Sequence, residues 1–326
     1  MLGFGCAPVM GRIGRKPSLC ALAAAYDAGV TFFDTARSYG YGESESVLGE
    51  FLQTKRDRVV LATKFGILPV PQRRWKRALM PAARIIVNGV PWARRLTRSQ
   101  VNAQFQNNQL TKEVLRTSLE QSLRKLRTSY VDILFIHSAP ISILEHYDLL
   151  EGLEKLVASG KIRVAGISAD PDVIARILET HNPLLNALQF PVNIFDPSLT
   201  SHVSAVRHRE LIFVANHPFG GIERVARSQA HLRRLAASSA ISDELRGKLK
   251  LIDDEVLAEL VLNLVLNDTG VHIVVPSMMK LSHLQANIRG ISSCRFTTQE
   301  LAWIRHNLAQ SEPPRGLDLR QECSQQ

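Results

Sequence analysis

Eight short apolar runs, each separated from the next by a longer amphipathic or polar stretch, constrain this chain more than any other feature. A short apolar run bounded by turn residues reads as a strand buried on both faces, the condition of strands in a parallel sheet. The runs fall at residues 2–6, 30–34, 58–64, 131–137, 162–167, 187–190, 211–215 and 271–275. Helices are expected between them, over 18–27, 44–51, 111–127, 146–159, 171–180, 199–207 and 254–266, with two more at 282–288 and 298–308. In the third of these Thr111 can cap the start, and Leu115, Leu119, Leu123 and Leu126 recur at helical spacing. Gly160 can end the helix that starts near residue 146. The region between the seventh strand and residue 254 reads only as a long connection.

Eight alternations without a mid-chain break predict an α/β fold, a closed (β/α)8 TIM barrel in one domain over residues 1–326, with an extra C-terminal helix and a flexible tail at 312–326. An open, doubly wound sheet is the alternative. If it bound a dinucleotide, it would carry a G-x-G-x-x-G turn after its first strand. Gly3, Gly5, Gly11 and Gly14 do not fit that spacing.

Composition narrows the class. Of 326 residues, 45% are hydrophobic and 21% charged, the balance of a globular enzyme rather than a disordered or fibrous chain. No apolar run reaches the roughly 18 residues that span a bilayer, and no secretory signal precedes the first strand, so the expected location is cytoplasmic. Cys6, Cys20, Cys294 and Cys323 lie far apart with no C-x-x-C pair, which argues against both a disulfide framework and a zinc cage. No metal is expected.

Chemistry in such a barrel collects at the C-terminal ends of the strands. There the sequence sets Asp34 after the second strand, Lys64 after the third and His137 after the fourth, with Tyr39 in the loop following Asp34. Singly, each has a plain structural role open to it: a cap, a solvated charge, a core histidine. Together they make a coherent acid. A free tyrosine titrates near 10, too high for easy proton exchange at neutrality. An adjacent Lys64 ammonium would lower that value, Asp34 would hold the lysine, and His137 would orient a carbonyl oxygen or relay the proton. Hydride must then come from a nicotinamide cofactor, because no side chain can supply it.

The run Phe33-Asp34-Thr35-Ala36-Arg37-Ser38-Tyr39-Gly40-Tyr41-Gly42-Glu43-Ser44-Glu45 resembles the D-T-A-x-x-Y-G-x-G-x-S-E motif of the aldo-keto reductases, and Ala62-Thr63-Lys64 and Ile136-His137 are similar to that family's lysine and histidine segments. The resemblance extends over almost the whole chain. It implies that Tyr39, not Tyr41, donates the proton, and that Lys64, Asp34 and His137 complete a tetrad. It further implies NADPH as cofactor, with NADH the alternative, and reduction of an aldehyde, ketone or sugar carbonyl or the reverse oxidation of an alcohol.

On the cofactor side, Gly5 and Cys6 at the end of the first strand, Ala7 just after it, and Asp34 are expected cofactor contacts. Ser168 and Gln189 resemble the family's carboxamide ligands, but Ala169 stands where an asparagine is usual. His217, Pro218, Phe219 and Gly221 resemble the phosphate-side loop. Asn216 stands where many relatives stack an aromatic, which leaves Phe219 or Phe195 to pack against the nicotinamide. Ser277, Met279, Lys280, His283 and Asn287 resemble the adenine-end segment, where Lys280 can select a 2′-phosphate by charge, although Ala286 replaces the usual glutamate. Relatives usually carry a β-hairpin before the first strand. Here Met1 almost opens that strand, so the hairpin is either lost or lies upstream of an internal start.

The excess of basic residues in this chain, a formal charge of +10, is concentrated in an insertion at 65–109. Arg73, Arg74, Lys76, Arg77, Arg84, Arg94, Arg95 and Arg98 lie there with no acidic residue between Phe65 and Gln109. It falls at the rim where loops set substrate choice. It can attract an anionic small-molecule substrate or carrier, touch a membrane surface through Arg84-Ile85-Ile86-Val87 and Pro91-Trp92, or simply be solvated. No nucleic-acid module accompanies it. Two rival functions use the same barrel: acid–base chemistry without net redox, such as elimination or cyclisation, and a non-catalytic, cofactor-binding regulatory subunit. Substrate identity and oligomeric state are not written in the sequence.

Overall fold

A computed structural model of the chain describes residues 1–11, 13–69, 109–180, 182–192, 203, 210–268 and 270–311. Most of the basic insertion (70–108), Phe195, most of the helix expected at 199–207 and the tail at 312–326 lie outside the described residues. Eight strands, β1 (Gly3–Gly5), β2 (Phe32–Asp34), β3 (Val60–Phe65), β4 (Val131–His137), β5 (Ile162–Ser168), β6 (Leu185–Pro191), β7 (Ile212–Asn216) and β8 (Ile273–Val275), pair in chain order. Every pairing is parallel.

The sheet closes on itself. Leu2 bridges Val274 in parallel, the Val274 amide donates to the Met1 carbonyl at 3.0 Å, and the Gly5 amide donates to the Pro276 carbonyl at 3.0 Å. The terminal ammonium of Met1 donates to the His272 carbonyl at 2.6 Å. This seam joins two strands of three residues each, whereas β4 and β5 run seven.

Alternation along the strands divides the core in two. Phe32, Ala62, Ile133, Phe135, Ala187, Val214, Ile273 and Val275 point inward and fill the barrel. Their neighbours, among them Phe33, Leu61, Leu134, Ile136, Ile167, Leu188 and Phe213, point outward under the helices. Full burial of one such phenylalanine contributes about 2 kcal/mol.

The helices are α1 (Arg15–Asp27), α2 (Ser44–Leu52), α3 (Lys112–Leu126), α4 (Tyr147–Ala158), α5 (Pro171–Thr180), α6 (Ile222–Leu235), α7 (Asp243–Lys250), α8 (Asp254–Asn263), α9 (Leu281–Ser292) and α10 (Thr298–Ser311). Helix α3 forms as its pattern dictates. Thr111 accepts from the Val114 amide, Leu115, Leu119 and Leu126 are buried, and Arg127 closes the helix in the left-handed region at φ 54°. At the opposite end of the barrel from the strand termini, Asp132 of β4 accepts from the Leu61 amide at 2.9 Å. It also pairs with Arg56 at 2.8 Å and Arg163 at 2.9 Å, fastening β3, β4 and β5.

Three expectations are revised. The polar stretch after β7 is not a plain connection, because it folds into α6 and α7. Helix α7 is capped by Ser242 accepting from the Leu245 amide, with Leu245 and Leu249 buried one turn apart. Helix α1 begins at Arg15, three residues earlier than its apolar pattern, with Gly14 as its N-cap. Strand β7 ends at Asn216, not Ala215, since Asn216 pairs with both Pro191 and Val275. Among the described residues, no helix is long and apolar enough to cross a membrane.

Candidate active site

The inward phase of each strand, continued one step past the packed layer, places the polar residues. Two residues beyond Phe32, Ala62, Phe135, Ala187 and Val214 stand Asp34, Lys64, His137, Gln189 and Asn216. Because strand side chains alternate faces, each rises from the same interior as the residue two before it. Ser168 joins them from β5 by pairing with His137 on one side and Gln189 on the other.

Lys64, only 1% exposed, is gripped by Asp34. Its Nζ donates to Asp34 Oδ1 at 2.6 Å and Oδ2 at 2.7 Å, and to the Thr35 carbonyl at 3.0 Å. The same ammonium lies 5.1 Å from the centre of the Tyr39 ring. His137 meets Tyr39 edge-on, with ring centroids 6.0 Å apart and planes at 83°. All four residues of the expected tetrad therefore converge.

The loop bearing Tyr39 has its own support. Gly40 and Tyr41 both take left-handed backbone angles, φ 57° each, and a Cβ on Gly40 would collide with the Val9 carbonyl. Behind the loop, Thr35 Oγ1 lies 3.1 Å from Ser44 Oγ, which donates to the Cys6 carbonyl at 3.2 Å. Glu45 accepts from Thr63 at 2.8 Å and pairs with the buried Arg37 at 3.6 Å. This second layer draws Thr35, Arg37, Ser44 and Glu45 from the motif run at 33–45 together with Cys6 just after β1 and Thr63 of β3, and spacing alone does not show the network.

Electrostatics correct one expectation. Burial pushes the Tyr39 phenol above its ordinary value. Lys64 opposes this through its charge and a hydrogen bond, Asp34 adds to the rise, and the net direction is up. Burial works against the Lys64 charge, yet Asp34 and Tyr39 hold its pKa above the usual lysine value. Burial, and then Lys64, depresses His137 well below the histidine range, so its ring is neutral at pH 7. The arrangement can deliver a proton from a neutral phenol, beside a fixed cation and a neutral imidazole, to an oxygen seated above them.

The other expected residues fall into four groups. Ser168 Oγ donates to Gln189 Oε1 at 2.9 Å, and both are buried. Gly5 ends β1 in the inward phase. Cys6 is packed in the outer core, where burial and then Asp34 raise its thiol pKa, and its amide donates to the Asp34 carbonyl at 2.8 Å. Ala7 is exposed. His217, Pro218, Phe219 and Gly221 form a turn, with Gly220 donating to the His217 carbonyl, that leads to the N-terminus of α6. Phe219 packs against the core. Burial, then Lys64, lowers the His217 pKa, so this imidazole stands within electrostatic reach of the tetrad. At the end of β8, Ser277, Lys280 and His283 are exposed, Met279 packs against the core and Asn287 is buried in α9.

A family model described as the aldo/keto reductase family matches residues 1–308. The chain belongs to the aldo/keto reductase family. Its relatives in that family include an uncharacterized oxidoreductase of Bacillus subtilis, 24% identical over 95% of this chain and 92% of the other. A D-threo-aldose 1-dehydrogenase of a Pseudomonas species is 34% identical over 52% of this chain and 49% of its own. Among solved structures, an aldo-keto reductase of Bacillus halodurans in its holo form superposes with a TM-score of 0.67 at 23% identity, covering 97% of this chain and 94% of that one. An aldo/keto reductase of Klebsiella pneumoniae in complex with NADP and acetate gives a TM-score of 0.61 at 22% identity, over 96% and 92% of the two chains. These likenesses establish the barrel, and membership of the family makes the chain an oxidoreductase.

Proposed function

We propose that this oxidoreductase uses NADPH to interconvert a small-molecule carbonyl compound and its alcohol, with Tyr39 as the proton donor and Lys64, Asp34 and His137 as its supporting residues. The observation that carries the reading is the Asp34–Lys64 pair. It holds a buried ammonium over the ring of a phenol at the ends of two neighbouring strands.

The residues present fit a nicotinamide cofactor. Ser168 engages the carbonyl end of the Gln189 side chain, which leaves the buried Gln189 Nε2 without a partner. A carboxamide oxygen would satisfy it. The turn at His217–Gly221 feeds the N-terminus of a 14-residue helix, a setting suited to phosphate oxygens. Lys280, exposed as the N-cap of α9, would pair with a 2′-phosphate. The Klebsiella relative solved with NADP supports the same choice. When bound, the cofactor supplies the hydride.

The protein's own part is the proton. In reduction, Tyr39 Oη gives its proton to the carbonyl oxygen as that oxygen gains charge. Lys64, kept charged by Asp34, stabilises the phenolate left behind, and neutral His137 donates a hydrogen bond that orients the carbonyl. The raised Tyr39 pKa keeps the phenol protonated before the step, which suits an acid in the reductive direction.

The test is a titration of the protein with NADPH and with NADH, followed by quenching of tryptophan fluorescence. Saturable and tighter binding of NADPH is expected, with Lys280→Ala narrowing the difference several-fold. Failure to bind either dinucleotide would overturn the assignment.

A further inference from the structure

Two buried polar atoms at the inner rim, on neighbouring strands, have no hydrogen-bond partner: Gln189 Nε2 on β6 and Asn216 Oδ1 on β7. One is a donor and the other an acceptor. Gln189 pairs in register with Val214, and Pro191 with Asn216, so Asn216 stands one inward step, roughly 7 Å along the strand, beyond the level of Gln189. Leaving a buried polar atom unpaired costs about 1–3 kcal/mol, so a complementary donor–acceptor pair at one rim calls for a ligand that presents the opposite two groups.

A primary carboxamide presents both, an oxygen that accepts and an N–H that donates. Resting on the NADP(H) reading above, we propose that Asn216 Oδ1 accepts the N–H of the nicotinamide carboxamide while Gln189 Nε2 donates to its oxygen. The residue after Ser168 is Ala169, whose amide is spent on the Gln189 carbonyl at 3.0 Å and whose side chain offers no hydrogen bond. Asn216 thus supplies, from two strands away, the amide that position 169 lacks. It also occupies the strand end at which the family resemblance puts an aromatic in many relatives.

The experiment is a fluorescence titration of the full chain with three probes: NADP⁺, its 3-acetylpyridine analogue, in which a methyl replaces the carboxamide NH₂, and 2′,5′-ADP, which has no nicotinamide. Wild type should bind NADP⁺ about tenfold more tightly than the analogue, the equivalent of one hydrogen bond. Asn216→Ala should bind NADP⁺ about tenfold more weakly than wild type and lose the preference. Asn216→Asp, which keeps an acceptor, should retain the preference. Affinity for 2′,5′-ADP should be the same in all three, which shows that the variants are folded and the adenine end is intact. A preference that persists in Asn216→Ala would overturn the role of Asn216 and leave the cofactor reading standing. Wild type that binds 2′,5′-ADP as well as NADP⁺, or binds neither, would overturn the nicotinamide reading itself.

Discussion

The two halves of the rim are built on opposite terms. Along β2 and β3 the polar groups satisfy one another: Lys64 donates two short hydrogen bonds to Asp34 and a third to the Thr35 carbonyl. Along β6 and β7, Gln189 and Asn216 leave a buried donor and a buried acceptor unpaired. The barrel beneath is the same on both sides, so the contrast lies in the last inward residue of each strand. The first arc is preorganised and needs no ligand to hold its charges in place. The second reserves its hydrogen bonds for one, so its stability and its affinity trade against each other.

Breaking the first arc should have the largest effect. Tyr39→Phe removes the acid and little else, so kcat should fall by about 10²–10⁴-fold while NADPH affinity stays within about twofold of wild type. Lys64→Met should lower kcat comparably. Unlike Tyr39→Phe it should also destabilise the fold by about 3–5 kcal/mol in urea unfolding, because the Asp34 carboxylate is left buried without its cation. Equal stability of the two variants would show that the pair is not the fixed element described above.

The second arc should respond in the reverse sense. Gln189→Leu should weaken NADPH about tenfold in the titration yet cost the free protein only about 1 kcal/mol, because the Ser168 hydroxyl loses its acceptor while the unpaired N–H is removed with the amide. A loss of several kcal/mol would mean that Gln189 is already satisfied without a ligand.

The smallest effect is a slope in pH. His137 and His217 have pKa values depressed in the folded state, His137 the more strongly. Below the unfolded value of about 6.5 the unfolded chain therefore binds more protons than the native one, and stability falls as pH falls. Between pH 6.5 and 5.5, His137 should contribute up to about 1 kcal/mol of that loss, and His137→Asn should flatten the unfolding midpoint over the same window.

How much of this was readable beforehand depends on how a residue announces itself. Asp34, Lys64 and His137 are charged or titratable groups at the ends of apolar runs, and that interruption is visible in one dimension. The motif around Tyr39 is long enough to be specific. The buried support among Arg37, Glu45 and Thr63 is a matter of three-dimensional proximity, which spacing does not encode. Helices α6 and α7 were hidden because their exposed faces are densely charged and their buried faces narrow, as in Leu245 and Leu249. Asn216 turns on a single residue of strand length. Ending the strand at Ala215 puts Asn216 in a loop, whereas ending it at Asn216 turns the side chain into the barrel.

The seam between β1 and β8 bears on motion rather than chemistry. It joins groups 271 residues apart in the chain, while the other strand pairings link neighbours in sequence. Loop-closure entropy grows only with the logarithm of length, so this long closure costs about 2 kcal/mol more than a pairing across some thirty residues. A handful of hydrogen bonds and two three-residue strands hold it. Native fluctuations should therefore open the ring there first, and the Val274 amide should exchange its proton with solvent well before the amides of β4.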